Sequence, residues 1–190
     1  MVNWEFAIPQ LEAGEALKTA GQLMDSEAFA GFYERSARSL WAYLARVSGN
    51  PALADDLMQE AYLRFLGAPR IADGEVACRR YLFRIATNLL RDHWRRPSTS
   101  SLEDLPEALF CCGDGSGPSD AFLTLGPALA QMRPRDRQIL WLAYAEDYTH
   151  REIAEITGLQ SASIRLMLFR ARRKLASLLR HQAAREVERV

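Results

Sequence analysis

The sequence signal that decides the fold lies in residues 149–175, which read THREIAEITGLQSASIRLMLFRARRKL. Thr149, with a glutamate three residues later, has the form of a capping box, in which two side chains accept hydrogen bonds from backbone amides at the start of a helix. Gly158 stands where a tight turn requires a left-handed residue, and Ser161 or Ser163 can cap the helix that follows. The stretch therefore predicts a short helix, a turn and a second helix.

The second of these helices has an apolar face and a basic face. Its apolar side chains recur at helical spacing, at Ile164, Leu168, Ala171, Leu175 and Leu178. A short helix, a glycine-containing turn and a longer basic helix are typical of a helix-turn-helix, whose second helix enters the major groove of DNA. An ordinary helical hairpin with a solvated basic face gives the same pattern, but the capping box and the positive charge favour DNA binding.

Helical periodicity recurs along the rest of the 190 residues, and alternating β-branched runs are absent from the sequence. The chain has 48% hydrophobic and 25% charged residues, a composition typical of globular proteins with one or two domains at this length. We therefore expect an all-α protein. Residues 97–118 are rich in Pro, Ser, Gly and Asp and are predicted to form a flexible linker between two helical segments.

The charges are unevenly distributed, although the formal net charge is +0. Residues 79–96 contain six arginines and one acidic residue, and residues 161–190 contain eight basic residues and two glutamates. Between them, residues 97–126 contain five acidic residues and no lysine or arginine. Two basic segments separated by an acidic tether predict two contacts with nucleic acid.

Cysteine usage and hydropathy indicate a cytoplasmic protein. The sequence has three cysteines, Cys78, Cys111 and Cys112. Their odd number and their spacing fit neither a disulfide framework nor a zinc site, so we expect reduced thiols and no metal. No apolar run approaches the roughly 18 residues that a membrane span needs, and the first ten residues do not form a signal peptide. Membrane insertion is therefore not expected.

An acidic patch lies on a helix that Asn50 and Pro51 are predicted to begin, since asparagine caps helices and proline fits their first turn. Asp56, Gln59 and Glu60 are spaced at i, i+3 and i+4, so they share one face. The patch is either a solvated helix face or a docking site for a partner. Paired carboxylates also occur in catalytic sites, but no histidine pattern accompanies these.

A basic helix is predicted over residues 78–96. Its polar side consists of Arg80, Arg84, Asn88, Arg91, Arg95 and Arg96. Tyr81 and Trp94 are interleaved with these residues. Aromatic rings beside arginines suit opened or single-stranded DNA, because exposed bases stack on rings while cations bind phosphates. Either ring can instead belong to the core.

These stretches together resemble one family. The runs FAGFYER (29–35), GNPALADDLMQEAYLR (49–64) and YLFRIATNLLRDHWRR (81–96) resemble the second conserved region of extracytoplasmic-function sigma factors, which belong to the sigma-70 family of bacterial RNA polymerase. The runs MRPRDRQIL (132–140), THREIAEITGL (149–159) and IRLMLFRAR (164–172) resemble their fourth region. The two regions occur in the family's order, with an acidic linker between them.

The resemblance implies a sigma factor, which binds core RNA polymerase and directs promoter-specific initiation, with no catalytic residue, metal or cofactor of its own. It divides the chain as follows: a leader at 1–24, a region 2 domain at 25–96, a linker at 97–118, a region 4 domain at 119–182 and a tail at 183–190. The loop at 67–76 corresponds to the segment that captures a flipped base.

The resemblance also assigns roles to individual residues. Asp56, Gln59 and Glu60 fall where the family binds the clamp helices of the largest polymerase subunit, and the flap of the polymerase is a further implied contact. Binding and opening of the minus-ten element falls to Arg80, Tyr81, Arg84, Asn88, Arg91, Arg95 and Arg96. Binding of the minus-thirty-five element falls to Ser163, Arg165, Phe169, Arg170 and Arg172.

Some positions depart from the family pattern, and His150 stands where a tyrosine is usual. Leu166 and Met167 stand where small polar and basic residues are usual, so we expect fewer hydrogen bonds to base edges and more apolar contact with thymine methyl groups. Members of the family are often held by an anti-sigma factor, which makes such a factor, or another regulator, a candidate partner.

The sequence disfavours two alternatives to a sigma factor. A stand-alone helix-turn-helix regulator leaves the acidic patch unexplained. An enzyme is disfavoured because the sequence has no metal-ligand cluster, glycine-rich phosphate loop or nucleophile constellation.

Overall fold

The computed structural model describes residues 26–68, 74–95 and 120–187, in which seven α-helices and no strand are present. The helices are α1 (Ser26–Ser48), α2 (Pro51–Leu66), α3 (Glu75–Arg95), α4 (Asp120–Ala130), α5 (Pro134–Tyr144), α6 (His150–Thr157) and α7 (Ser161–Val187). The all-α prediction is confirmed. The leader at 1–24, half of the loop at 67–76 (residues 69–73), Arg96 and the linker at 97–118 lie outside the described residues.

The caps of α2 and α6 form as the sequence predicts, whereas α7 begins at Ser161, so Ser161 and Ser163 lie within that helix and do not precede it as caps. The side chain of Asn50 accepts a hydrogen bond from the Leu53 amide at 3.1 Å and caps α2. The capping box at the start of α6 is complete, and Gly158 ends that helix in the left-handed conformation, with φ 68°. One helix bound differs from the prediction: α3 begins at Glu75, three residues early.

The first helical group consists of α1, α2 and α3. Aromatic rings join α1 to α2: Phe32 stacks on Phe65 with ring centroids 5.0 Å apart. The Ser36 hydroxyl shares a buried hydrogen bond of 2.7 Å with the Tyr62 hydroxyl. The apolar side chains of α2 are buried or half-buried against this core, so the acidic patch on α2 is turned outward.

The second helical group consists of α4 to α7. Ile164, Leu168 and Ala171 of α7 are buried against α5 and α6 as their spacing predicts. Leu175 and Leu178 are partly buried beside them. Pro127 lies inside α4. The buried face of α7 therefore fixes which of its side chains point to solvent.

The two helical groups pack against each other. Helix α3 of the first group contacts α6 of the second, and α1 contacts α5. The buried apolar side chains of both groups form one continuous cluster. Among the described helices none is long and apolar enough to cross a membrane.

Candidate polymerase and nucleic-acid interfaces

The acidic patch on α2 is exposed at two of its three predicted residues. Asp56 and Gln59 face solvent, while Glu60 is half-buried and pairs with Arg64 at 2.6 Å. Leu63 lies one turn beyond Gln59 and is 59% exposed. The patch is thus an accessible acidic surface with an apolar residue at its edge.

Asp55 is oriented differently from its neighbour in sequence. Its carboxylate accepts a hydrogen bond of 2.7 Å from the indole N–H of Trp41 on α1. This bond fixes Asp55 within the first helical group, whereas Asp56 belongs to the outward surface.

The basic face of α3 is divided into two sides. Arg84, Asn88, Arg91 and Arg95 are exposed, and Arg80 and Tyr81 are half-buried. The Tyr81 ring centroid lies 6.4 Å from that of Phe65, and Tyr81 packs on the core, while Trp94 is 41% exposed. Part of the Tyr81 ring therefore belongs to the core, which is one of the two alternatives that the sequence left open for this residue.

Arg80 and Arg91 lie on the side of α3 that faces the second helical group. Arg80 forms ion pairs with Glu152 at 3.4 Å and with Glu155 at 3.5 Å. Arg91 donates a hydrogen bond of 2.5 Å to the backbone carbonyl of Thr157. Two of the predicted DNA-binding cations therefore already contact α6.

All five residues predicted to bind DNA on α7 are exposed: Ser163, Arg165, Phe169, Arg170 and Arg172. Phe169 and Leu166 are 48% and 50% exposed. The guanidinium carbon of Arg173 lies over the Phe169 ring, 5.8 Å from its centroid, a geometry that suits a cation–π contact. The exposed face combines cations with large apolar side chains.

A cleft beside α7 adds cations that the sequence analysis did not assign to the interface. It has a volume of about 720 Å³. The residues that line it are Gln131, Arg133, Arg135, Asp136, Met167, Arg170 and Lys174. Four of these seven side chains are basic and one is acidic. The basic run RPRDR at 133–137 is the part of the sequence that could have indicated these extra cations. Its place beside α7 depends on how α5 packs against α7, which the sequence alone does not show.

The capping box at the start of α6 alters the acidity of Glu152. The backbone amide of Thr149 donates to this carboxylate at 2.9 Å, and the Thr149 hydroxyl donates at 2.8 Å. These hydrogen bonds lower the pKa of Glu152, with a smaller contribution from Arg80. Glu152 therefore remains anionic where it meets the basic helix.

A buried polar cluster joins the two helical groups. The Tyr43 hydroxyl shares a hydrogen bond of 2.6 Å with Thr87, and the Gln138 amide donates to the Tyr43 hydroxyl at 2.7 Å. All three side chains are buried. Burial raises the pKa of Tyr43 to about 12, so its hydroxyl stays neutral at ordinary pH.

Both helical groups match known protein families. Residues 32–99 match the family described as Sigma-70 region 2, and residues 124–175 match Sigma-70, region 4. The chain is 30% identical over 157 residues to RNA polymerase sigma factor CarQ of Myxococcus xanthus, an alignment that covers 80% of this chain and 90% of that protein. It is 28% identical over 148 residues to the ECF sigma factor SigL of Mycobacterium tuberculosis, covering 75% and 84%.

Solved structures share the fold. The sigma factor RpoE in complex with the anti-sigma factor NepR from Bartonella quintana has a TM-score of 0.62 at 19% identity, covering 81% of this chain and 98% of that one. CnrH in complex with the cytosolic domain of CnrY has a TM-score of 0.61 at 21% identity, covering 87% and 95%.

The chain belongs to the extracytoplasmic-function sigma factors of the sigma-70 family. It is accordingly a polymerase-associated subunit that directs transcription to promoters, and the stand-alone regulator is excluded.

Proposed function

We propose that three exposed surfaces divide the work of this sigma factor. The acidic patch on α2 docks on core polymerase, the basic face of α3 binds and opens the minus-ten element, and the exposed face of α7 binds the minus-thirty-five element. The observation that carries this proposal is the separation of charge: each surface occupies its own helix, opposite an apolar face that is buried. Such buried faces hold each surface in a fixed orientation.

Docking on polymerase is assigned to Asp56, Gln59 and Glu60, against the clamp helices of the largest subunit. The exposed carboxylate of Asp56 and the exposed Leu63 support this assignment. A charged rim beside an apolar residue is typical of a protein–protein interface, in which the charge guides association.

Opening of the minus-ten element is assigned to the arginines of α3 and to Arg96, the next residue in the sequence. The outer side of the helix presents Arg84, Asn88 and Arg95 to solvent. Cations at this spacing suit the backbone of a separated strand, and the exposed part of Trp94 offers a ring on which a base can stack.

Recognition of the minus-thirty-five element is assigned to Ser163, Arg165, Phe169, Arg170 and Arg172 on α7. Arg165 is the candidate for hydrogen bonds to guanine, and Phe169 with Leu166 provides apolar surface for thymine methyl groups. The cleft lined by Arg133, Arg135 and Lys174 supplies further cations for phosphates or for the flap of the polymerase.

A protein inhibitor is the remaining partner that we infer. Two solved structures with this fold are complexes, one with the anti-sigma factor NepR and one with the cytosolic domain of CnrY. By analogy with other sigma factors, we infer that the chain works in the cytoplasm. It catalyses no reaction itself, and RNA synthesis is carried out by the polymerase.

Reconstituted transcription tests the assignment on α2. Asp56→Lys is expected to lower runoff transcription with core polymerase at least tenfold, because it reverses the charge of an accessible docking residue. Affinity for core enzyme, measured by fluorescence anisotropy, should fall by a similar factor. Glu34→Lys on the exposed face of α1 is the matched control and should leave both values within about twofold. Equal losses in the two variants would contradict the proposal.

A further inference from the structure

The face of α7 that points directly away from the core is apolar along its centre. Ala162, Leu166 and Phe169 follow one another at i, i+4 and i+7, and all three are exposed. Because each residue turns the helix by about 100°, these positions lie within about 60° of one another and opposite the buried Ile164 and Ala171. We call the three residues the outer stripe of α7.

Polar and charged side chains flank the outer stripe on both sides. Arg165 and Arg172 lie along one edge, Ser163 and Arg170 lie along the other, and all four are exposed. Cations at the edges of a helix in the major groove reach the phosphates and the outermost base pairs, whereas the centre of the helix faces the floor of the groove. The outer stripe is therefore placed to contact base edges.

The spacing of the two large side chains in the outer stripe matches the spacing of base pairs. Leu166 is 50% exposed and Phe169 is 48% exposed. They are separated by three residues, or about 4.5 Å along the helix axis, which is close to the 3.4 Å between consecutive base pairs. Leu166 and Phe169 therefore address neighbouring base pairs.

The Phe169 ring is oriented by a neighbour on its own helix. The guanidinium carbon of Arg173, one turn further along α7, lies 5.8 Å from the centroid of the ring, which suits a cation–π contact. A side chain that is ordered in the free protein loses less conformational entropy when it binds. The outer stripe thus ends in a ring whose position is already restricted.

Met167, the neighbour of Leu166, belongs to a different surface. It is half-buried, packs against the core and lines the basic cleft beside α7. Of these two residues, both of which depart from the family pattern, only Leu166 lies on the outer stripe. The expected apolar contact with DNA is therefore assigned to Leu166.

The chemistry of the major groove limits what a leucine can recognise there. An aliphatic side chain neither donates nor accepts a hydrogen bond, so against a polar base edge it covers groups without pairing them, which has a cost. The C5 methyl group of thymine is the apolar feature that an unmodified base pair presents in this groove. Burying one such methyl group strengthens binding about fourfold.

We propose that Leu166 determines the specificity of minus-thirty-five recognition by contacting the C5 methyl group of a thymine, and that Phe169 contacts the methyl group of an adjacent thymine. The element that fits the outer stripe contains two neighbouring thymines on one strand, since consecutive bases of a strand present consecutive methyl groups. The inference rests on the proposed role of α7 and adds the chemical feature that the helix recognises.

Selection of promoter sequences is the first part of the test. The full chain is assembled with core polymerase, and runoff transcription of genomic fragments identifies one promoter. Its minus-thirty-five element is then randomised, and the fragments that the holoenzyme retains are sequenced. The wild-type chain should enrich two adjacent thymines. Leu166→Ala should lose the enrichment at one of them and keep the preferences at the remaining positions.

Deoxyuridine isolates the contribution of the methyl group, because it differs from thymidine only in lacking that group. Replacing either thymine by deoxyuridine should weaken binding of the wild-type holoenzyme about fourfold in fluorescence anisotropy. With Leu166→Ala, one of the two replacements should change binding by less than about 1.5-fold, because the interacting pair is already lost. At that position, 5-methylcytosine should bind the wild type more tightly than cytosine does, and the variant equally.

Tyr144→Ala is the matched control for loss of an exposed apolar side chain. Tyr144 is 58% exposed and lies on α5, outside the outer stripe, so this variant should respond to deoxyuridine at both positions as the wild type does. Circular dichroism checks that both variants keep their helix content, which alanine favours in α7.

Two results would overturn the inference. One is a selected element without adjacent thymines. The other is a deoxyuridine effect of equal size in the wild type and in Leu166→Ala, which would indicate recognition of DNA shape in place of contact with Leu166. Scrambling the whole element separates this inference from the proposed function. If scrambling has no effect on binding, the role of α7 fails and the inference fails with it. If scrambling weakens binding but deoxyuridine does not, only the methyl contact is refuted.

Discussion

At the scale of single residues, position on a helix decides which of two identical side chains is available to a partner. Asp55 and Asp56 are adjacent and both are exposed, yet the carboxylate of Asp55 is engaged by a hydrogen bond from Trp41. Arg79 and Arg84 differ in the same way, because Arg79 is held by Glu146 while Arg84 lies on the exposed side of α3. A rotation of 100° per residue separates structural charges from accessible ones.

Tyr43 gives a prediction at this scale. Tyr43→Phe removes the buried hydroxyl that is hydrogen-bonded to Thr87 and Gln138. The free energy of unfolding should fall by about 1–3 kcal/mol, because the Thr87 hydroxyl and the Gln138 amide each lose a buried hydrogen-bond partner. Urea denaturation followed by circular dichroism measures the change. Tyr144→Phe, at a tyrosine that is 58% exposed, is the control and should cost less than about 0.5 kcal/mol. Equal costs would show that the buried cluster contributes nothing specific.

At the scale of elements, the short helix α6 has two tasks. Its capping box and the left-handed Gly158 fix where it begins and ends, which sets the direction in which α7 leaves the turn. Its outer face carries Glu152 and Glu155 against α3. Because the helix has only two turns, a change at its N-cap residue, Thr149, affects both tasks.

Thr149→Ala is therefore expected to weaken α6 as a unit. Loss of the cap should cost about 1 kcal/mol near neutral pH. The pKa of Glu152 is lowered in the folded protein, so its charged form adds stability above its unfolded pKa, and this contribution disappears as pH falls through the folded value. The difference between wild type and Thr149→Ala in urea denaturation should hence shrink on acidification. A difference that stays constant down to pH 2 would contradict this role of Glu152.

At the scale of the whole molecule, sequence predicts the parts better than their assembly. The caps at Asn50 and Thr149 involve residues three positions apart, so local spacing was enough to find them. The pairs Arg80–Glu152 and Arg91–Thr157 join residues 72 and 66 positions apart, and no periodicity indicates such partners. The sequence therefore indicated two helical segments with basic faces, while the contact that occupies one of those faces required the fold.

The shared core leads to a prediction about unfolding. Trp41 lies in the first helical group and Trp141 in the second, so variants that keep only one of these tryptophans report on each group separately. Because both groups contribute to one buried cluster, the two fluorescence transitions in urea should coincide with each other and with circular dichroism, as in a two-state process.

Glu146→Gln supplies the contrast in both single-tryptophan proteins. It removes the negative charge that Arg79 of the first group pairs with and keeps a side chain of similar size, whose amide oxygen can still accept the hydrogen bond from Trp141 of its own group. The midpoints for Trp41 and Trp141 are then expected to separate, since each group unfolds with its own stability once the link is weakened. Midpoints that differ already in the parent proteins would show that the two groups fold independently and that their contact adds little to stability.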